Sequence, residues 1–249
     1  MLYQAHRGVS TDFPENTMPA FRGAWEQGYP VIELDPAFTA DNQCVVFHDK
    51  VLHRTCRYAD GSLIPEEITI GDVTWEQLQE LDAGLFKGEE FRGTKVPLLR
   101  EALEYAAEKG IHVKIDNKFQ RFTPEQKQIL FDTAEQSGAD FGFTCTRTEI
   151  IDEVVARFPD RPLHYDGAVN PEILAEVAAH LKNNPLTVWL PLPSRLTTWV
   201  KVPMATPEMC QLVKQYGRLG LWILEDPEQL ETAKALGGDI IETTGSLKP

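Results

Sequence analysis

Long apolar runs are missing from this chain of 249 residues, and so is any stretch rich in lysine and arginine. A membrane-spanning helix needs about 20 mostly apolar residues in a row, and no run here approaches that length. The first residues, Met1-Leu2-Tyr3-Gln4-Ala5, lack the charged and apolar regions of a signal peptide. The expectation is a soluble, cytoplasmic protein with no stable membrane insertion. Bases are outnumbered, with 24 Lys and Arg against 38 Asp and Glu and a formal net charge of −14. That balance argues against nucleic acid as a partner, because neutralising phosphates needs basic surface; acidity of this kind mainly serves solubility. Cysteine is scarce. Cys44, Cys56, Cys145 and Cys210 lie far apart, with no CxxC and no zinc spacing, and Cys44 and Cys145 read as core fillers within or beside apolar runs. Neither Ser10 nor Ser194 stands in a nucleophile elbow, so a serine hydrolase is not supported. There is no internal repeat or low-complexity tract, and nothing sets an oligomeric state.

What the chain does have is alternation. Short apolar runs suited to strands fall at Leu2–Ala5, Val31–Leu34, Val45–His48, Ile111–Ile115, Phe141–Thr144, Pro162–Tyr165, Thr187–Leu190, Gly220–Leu224 and Asp239–Ile241. Helical patterns fill Met18–Gln27, Leu98–Lys109, Pro124–Ser137, Thr148–Arg157, Pro171–Lys182, Pro207–Tyr216 and Pro227–Leu236. Thr123-Pro124, Asn170-Pro171, Thr206-Pro207 and Asp226-Pro227 each place a capping side chain before a proline at the first helical position. Gly110, Gly138 and Gly217 suit C-terminal caps. Strand–helix repetition at this length predicts an α/β fold, a TIM-type (β/α)8 barrel occupying residues 1–249 as one catalytic unit. Nine candidate strands exceed the eight a barrel needs. Val45–His48 follows the preceding strand through Asp41-Asn42 with no helix between, so it is either a hairpin partner or a barrel strand. From about 50 to 95 the rhythm breaks into a glycine-punctuated segment with one short helical piece, Thr74–Leu81, capped by Thr74 with Gln77 three residues on. It reads as an insertion folded over one end of the barrel, since a structureless loop that long is uncommon.

Charged groups sit at several strand ends, where barrel enzymes keep their chemistry. His6 and Arg7 end the first strand, Glu33 and Asp35 the second, His48 the next, and Asp116 and Lys118 the Ile111–Ile115 strand, while Trp222 lies near the end of a late one. Burial of such groups at strand ends costs several kcal/mol unless a metal, a counter-charge or a ligand meets them. Residues i and i+2 of a strand face the same side, so Glu33 and Asp35 can enter one pocket. Glu33, Asp35 and Asp116 offer oxygen ligands for one divalent cation, Mg²⁺ or Ca²⁺. Arg7 and Lys118 are fixed cations suited to a phosphate, and His6 and His48 could serve as base and acid on either side of it. The set points to metal-assisted phosphoryl transfer. His164 and Asp166 are further candidates for the pocket. His53 and Arg54, at the start of the insertion, read as structural or lid residues; His112 opens its strand at the wrong end, and His180 lies in a helix.

These residues resemble those of the glycerophosphodiester phosphodiesterases, barrel enzymes related to phosphatidylinositol phospholipases. The resemblance is carried by His6-Arg7-Gly8, Pro14-Glu15-Asn16-Thr17, Ala20-Phe21, Ile32-Glu33-Leu34-Asp35, Val46-Phe47-His48-Asp49, Leu52-His53-Arg54-Thr55, Pro97-Leu98-Leu99-Arg100-Glu101-Ala102-Leu103 and Trp222. The segment between His48 and Pro97 resembles the family's insertion. The resemblance implies His6 and His48 as general base and acid, Glu33 and Asp35 as metal ligands, Arg7 and Lys118 on the phosphate, and Trp222 against the alcohol moiety. It implies hydrolysis of glycerophosphodiesters to sn-glycerol 3-phosphate and an alcohol, by water directly or after attack of a neighbouring substrate hydroxyl. The chain departs from the family pattern at three places: Asp116-Asn117-Lys118 replaces the usual Glu-x-Lys, Ile223 rather than Thr follows Trp222, and Thr243-Thr244-Gly245 replaces a late Thr-Asp-x-Pro. Alternatives are a lyase that stops at a cyclic phosphate, a phosphodiesterase specialised for a non-glycerol substrate, a barrel that has lost turnover, and a metal-dependent sugar isomerase or aldolase. The lyases of the sphingomyelinase D type lack the insertion and carry disulfides; sugar isomerases gather more acids and histidines on late strands than this chain has.

Overall fold

Proline and a capping side chain start four of the helices as expected. Thr123, Asn170, Thr206 and Asp226 each accept a hydrogen bond from the backbone N–H three residues on, satisfying a donor the first helical turn leaves open. In the computed structural model, which describes residues 1–249, the elements run β1 (Leu2–Ala5), α1 (Met18–Glu26), β2 (Val31–Leu34), β3 (Pro36–Phe38), β4 (Cys44–Val46), α2 (Trp75–Glu80), α3 (Leu99–Lys109) and β5 (His112–Ile115) in the first half. The second half continues with α4 (Pro124–Gln136), β6 (Asp140–Cys145), α5 (Thr148–Arg157), β7 (Leu163–Tyr165), α6 (Pro171–His180), β8 (Leu186–Pro191), α7 (Pro207–Val213), β9 (Arg218–Leu224), α8 (Pro227–Ala235) and β10 (Ile240–Thr243). Gly110 closes α3 in the left-handed conformation and Gly138 follows α4 with φ +72°. Gly217 does not cap a helix. Helix α7 ends at Val213, and Gly217 instead lets the chain pass Leu186, whose carbonyl oxygen a Cβ would meet at 2.4 Å.

Eight parallel strands close a barrel in the order β1-β10-β9-β8-β7-β6-β5-β2. The surplus strand resolves as a hairpin: β4 pairs antiparallel with β3, outside the barrel, with Phe38 opposite Cys44 and Pro36 opposite Val46. Apolar side chains fill the space between barrel and helices, and all four cysteines are buried and free. No helix is long and apolar enough to cross a membrane.

The segment from 50 to 95 builds a second, smaller core. Leu52, Cys56, Ile64, Leu78 and Leu81 pack with Val45 and Phe47 of the hairpin region. Besides α2 it contains two single 3₁₀ turns, Ile70–Asp72 and Glu89–Phe91. Asp82 organises one end by accepting from the N–H groups of Gly84, Leu85 and Gly93. Lys87 Nζ donates to the carbonyls of Ser10 and Thr11 at 2.8 and 2.7 Å, tying the segment to the loop that follows β1.

The barrel interior is polar along one line. Gln4 donates to Glu242, Lys114 Nζ lies 3.1 Å from Glu242 Oε2, and the same ammonium sits 4.0 Å over the Trp189 ring. Trp189 Nε1 donates to His164 Nδ1 at 3.0 Å, and His164 Nε2 meets His112 Nε2 at 3.3 Å. His112 Nδ1 reaches Asp140 Oδ2 at 2.9 Å. An indole N–H can only donate, so the proton of neutral His164 belongs on Nε2 and that of His112 on Nδ1.

Candidate active site

The C-terminal strand ends surround a cavity of about 670 Å³. His6, Arg7, Glu33, Asp35, His48, Asp116, Lys118 and Trp222 all line it.

The turn after β1 carries His6 and Arg7. Arg7 is in the left-handed region at φ 57° and Gly8 at φ 76°. At Gly8 a Cβ would lie 2.7 Å from Ala20, so the turn can press against α1 only with glycine there. The second motif is stitched to the first: Asn16 donates its N–H to the Arg7 carbonyl at 3.0 Å, and Asn16 Nδ2 donates to Asp35 Oδ2 at 2.7 Å. Glu33 Oε2 accepts from the Arg7 N–H at 3.0 Å and lies 4.0 Å from His6 Nε2. Lys118 Nζ stands 3.0 Å from Asp35 Oδ1. Arg7 Nε is 3.3 Å from Asp35 Oδ2, but at an angle that closes no hydrogen bond, leaving a buried donor open to an anion. Asp116 caps the turn that follows β5 by accepting from the Lys118 N–H at 3.1 Å.

His48 arrives just beyond the hairpin, after β4. Its Nδ1 is 2.5 Å from Asp49 Oδ1, and Arg54 bonds both Asp49 and Glu15. Glu15 in turn accepts from Arg7 Nη1 at 2.8 Å. Charges alternate along Arg7–Glu15–Arg54–Asp49–His48, a chain that braces the two histidine-bearing segments against each other. Arg54 thus lines the cavity as well as bracing it.

Oxygens of Glu33, Asp35 and Asp116 fall within 4.8 Å of one another. Burial pushes Glu33 well above the usual carboxylate range, and the nearby charges of Asp35, Glu242 and Asp116 add to it. Asp116 is raised by burial and by Asp35. Burial acts the same way on Asp35, but Arg7 and Lys118 outweigh it and hold this carboxyl low. Three carboxyls lie together and two of them resist ionising, and hard oxygen donors gathered in this way suit a divalent cation whose charge would favour their ionised forms. His6 is pushed well below its ordinary value by burial and by the Arg7 charge, so its ring is neutral near pH 7.

Further residues not anticipated from the strand ends also face the cavity. Lys114 and Glu242 form its floor at 3.1 Å from each other; each is a charged residue inside an otherwise apolar strand, a signal legible in His-Val-Lys-Ile and Ile-Ile-Glu-Thr. Trp199 stands at the mouth; Asn16, outside the cavity lining, holds Asp35 in place. The two late candidates separate. Asp166, just after β7, lines the cavity, and burial raises it to about 7, opposed by Lys114. The Trp222 indole N–H lies near enough to act on that carboxyl, yet is buried without a bonding partner. His164 does not reach the cavity; as an inward residue of β7 it is spent on Trp189 and His112 lower in the barrel. His112 lies beside it, at the opening end of β5.

Comparison with known proteins adds independent support. The sequence model of the glycerophosphoryl diester phosphodiesterase family matches residues 6–143, more than half of the chain and every anticipated cavity residue except Asp166 and Trp222. The chain belongs to the glycerophosphoryl diester phosphodiesterase family. It is 41% identical over 117 residues to a glycerophosphodiester phosphodiesterase of Caldanaerobacter subterraneus, an alignment covering 47% of this chain and 45% of the relative. To human glycerophosphodiester phosphodiesterase 1 it is 36% identical over 116 residues, 46% of this chain and 33% of that protein. The chain therefore aligns with half or less of the length of these relatives. Among solved structures, a phosphodiesterase of Oleispira antarctica in complex with the product sn-glycerol-3-phosphate superposes with a TM-score of 0.79 at 21% identity, covering 99% of this chain and 94% of that one. A glycerophosphodiester phosphodiesterase of Thermotoga maritima gives 0.67 at 20% identity, with 99% and 95% covered. Both structures share this barrel over nearly their whole length.

Proposed function

We propose that the cavity hydrolyses glycerophosphodiesters to sn-glycerol 3-phosphate and an alcohol, with Glu33, Asp35 and Asp116 holding one divalent cation, Mg²⁺ or Ca²⁺. The observation that carries the reading is convergence: two histidines, three clustered carboxylates and two phosphate-seeking cations from four separate segments line one cavity in a chain of this family. The product named for the Oleispira antarctica structure supports the choice of substrate. When bound, the cation would supply Lewis-acid stabilisation of a phosphoryl oxygen.

The chain's own groups do the rest. Arg7, with its open Nε–H, and Lys118 bind the phosphate charge. His6, neutral through burial, takes a proton from the attacking water or from a neighbouring substrate hydroxyl as its oxygen bonds to phosphorus. His48 gives a proton to the departing alcohol oxygen as the P–O bond breaks; the Asp49 carboxylate fixes its ring and balances the imidazolium charge. Trp222 packs against the alcohol moiety at the cavity wall.

Phosphorus NMR on the protein with glycerophosphocholine, in Mg²⁺, Ca²⁺ or EDTA, tests this. A glycerol 3-phosphate signal that appears with a cation and vanishes with EDTA is expected, as is its loss by at least about a thousandfold in His6→Ala and His48→Ala variants that still fold. A persistent cyclic phosphate would make the protein a lyase. Undiminished turnover in His6→Ala would remove the acid–base pair.

A further inference from the structure

Six cationic side chains line the cavity: Arg7, Arg54, Lys114, Lys118, Arg121 and Lys201. Four of them are neutralised by carboxylates. Arg7 and Arg54 share Glu15, Lys118 holds Asp35, and Lys114 holds Glu242. Arg121 and Lys201 have no carboxylate within ion-pair distance and no side-chain hydrogen bond, although the chain carries 38 acids against 24 bases. The cavity lining holds as many carboxyls as cations, so Arg121 and Lys201 stand out as the two cations that no acid meets.

Their placement is specific. Arg121 ends the 3₁₀ turn after β5, and Lys201 lies in the loop between β8 and α7. In the barrel β6 and β7 stand between those two strands, and their loops give the cavity only Asp166. The two cations therefore flank the β6–β7 side of the mouth. Trp199, two residues before Lys201, is 71% exposed and stands 6.3 Å from the Trp222 ring at 42°. Its indole N–H donates to the Leu196 carbonyl at 2.8 Å, which fixes the ring over the opening. A ligand leaving the reacting phosphate past Trp222 meets two aromatic faces, with Lys201 on the Trp199 loop and Arg121 across the β6–β7 side of the same mouth.

We infer that the mouth is a second anion site, and that the preferred diester carries a further phosphate or carboxylate on its alcohol moiety, held by Arg121 and Lys201 against Trp199. The inference rests on the phosphodiesterase reading above and narrows its substrate class. Tryptophan faces also attract quaternary ammonium groups. Here, however, any cation seated on them would sit beside two like charges that nothing neutralises, so an anionic alcohol is favoured.

The test compares three diesters sharing the glycerophosphoryl half: glycerophosphocholine, glycerophosphoglycerol, and glycerophosphoglycerol bearing a terminal phosphate. Turnover and calorimetric binding are measured for the full chain and for an R121Q/K201Q variant. The expected result is a kcat/KM about tenfold higher for the phosphorylated diester than for glycerophosphoglycerol, carried by KM. Added salt should shrink that ratio and the double variant should abolish it. Equal values for the three diesters, or a preference for the choline compound, would overturn the inference. If none is turned over, the hydrolase reading fails by itself. Calorimetry then still decides the mouth: tighter binding of the phosphorylated diester, lost in R121Q/K201Q, supports it, and equal binding refutes it.

Discussion

Asp116 sits where the family usually has glutamate, one methylene longer, and in this fold the shorter acid has two roles. Its Oδ1 caps the turn after β5, and its charge opposes Glu33 and Asp35 across less than 4.8 Å. Asn at this position keeps an acceptor oxygen for the Lys118 N–H while deleting the charge. Asp116→Asn is therefore expected to make the cation-free protein more stable, by about 1 kcal/mol, because one of the charges that raise Glu33 is gone. The same change should weaken Mg²⁺ or Ca²⁺ binding by about tenfold or more, since ligand charge sets affinity at oxygen sites. Urea denaturation with EDTA and calorimetric titration of the cation check the two halves, and a variant destabilised without cation would mean that the cap matters more than the repulsion. Most of this site was legible from single residues because charge at an apolar strand end is conspicuous. Lys114 and Glu242 escaped because they lie within strands, where periodicity marks them as barrel-facing but cannot say that they face each other. Arg54 is half-exposed at 42% of its side chain and reads in sequence like any surface base; only the fold brings Glu15 and Asp49 to it.

Elements were readable wherever a local rule governs them. Caps at Thr123, Asn170, Thr206 and Asp226 act within one helical turn, so sequence alone places those helix starts. Gly217 misled because its role is long-range, a close pass against Leu186 rather than a left-handed cap. The short strand Cys44–Val46 was ambiguous for the same reason: hairpin and barrel strands share a two-residue period, and partner choice depends on what covers the faces. Gly220 shows what such a hidden constraint costs. A Cβ there would lie 2.4 Å from the Trp189 ring, which is itself clamped between Lys114 and His164. Gly220→Ala should therefore destabilise the barrel by about 1–3 kcal/mol through overpacking between β8 and β9. Thermal unfolding with near-UV circular dichroism reports this directly, the Trp189 signal changing along with the loss of stability. An unchanged melting temperature would show that the two strands can separate at no cost.

At the scale of the whole molecule, the barrel axis behaves as one acid-sensitive unit. His164 is buried, accepts from Trp189 through Nδ1, and spends its Nε2 proton on His112. Burial pushes its pKa well below 6.5, and the neighbouring His112 and Lys114 push the same way. In the unfolded chain the imidazole titrates near about 6.5. Between that value and the depressed one the unfolded state binds a proton that the fold refuses, so stability falls as pH drops below about 6.5, by up to about 1.4 kcal/mol per pH unit for this one group. His6 contributes with the same sign, whereas Glu33, raised by burial, favours the fold as it takes up its proton at acid pH. The bulk pH profile thus mixes opposing terms, and a difference is needed to isolate the axis. Asn at 164 can present an oxygen to the Trp189 indole but does not titrate, so His164→Asn should lose about 1–3 kcal/mol near pH 7.5 from the vacated volume and the broken His112 contact. On acidification the gap to the native chain should narrow, because only the native chain carries the His164 term. Urea denaturation at intervals from neutral pH downward measures that gap, and a gap that stays constant would place the acid sensitivity at the active-site mouth rather than along the barrel axis.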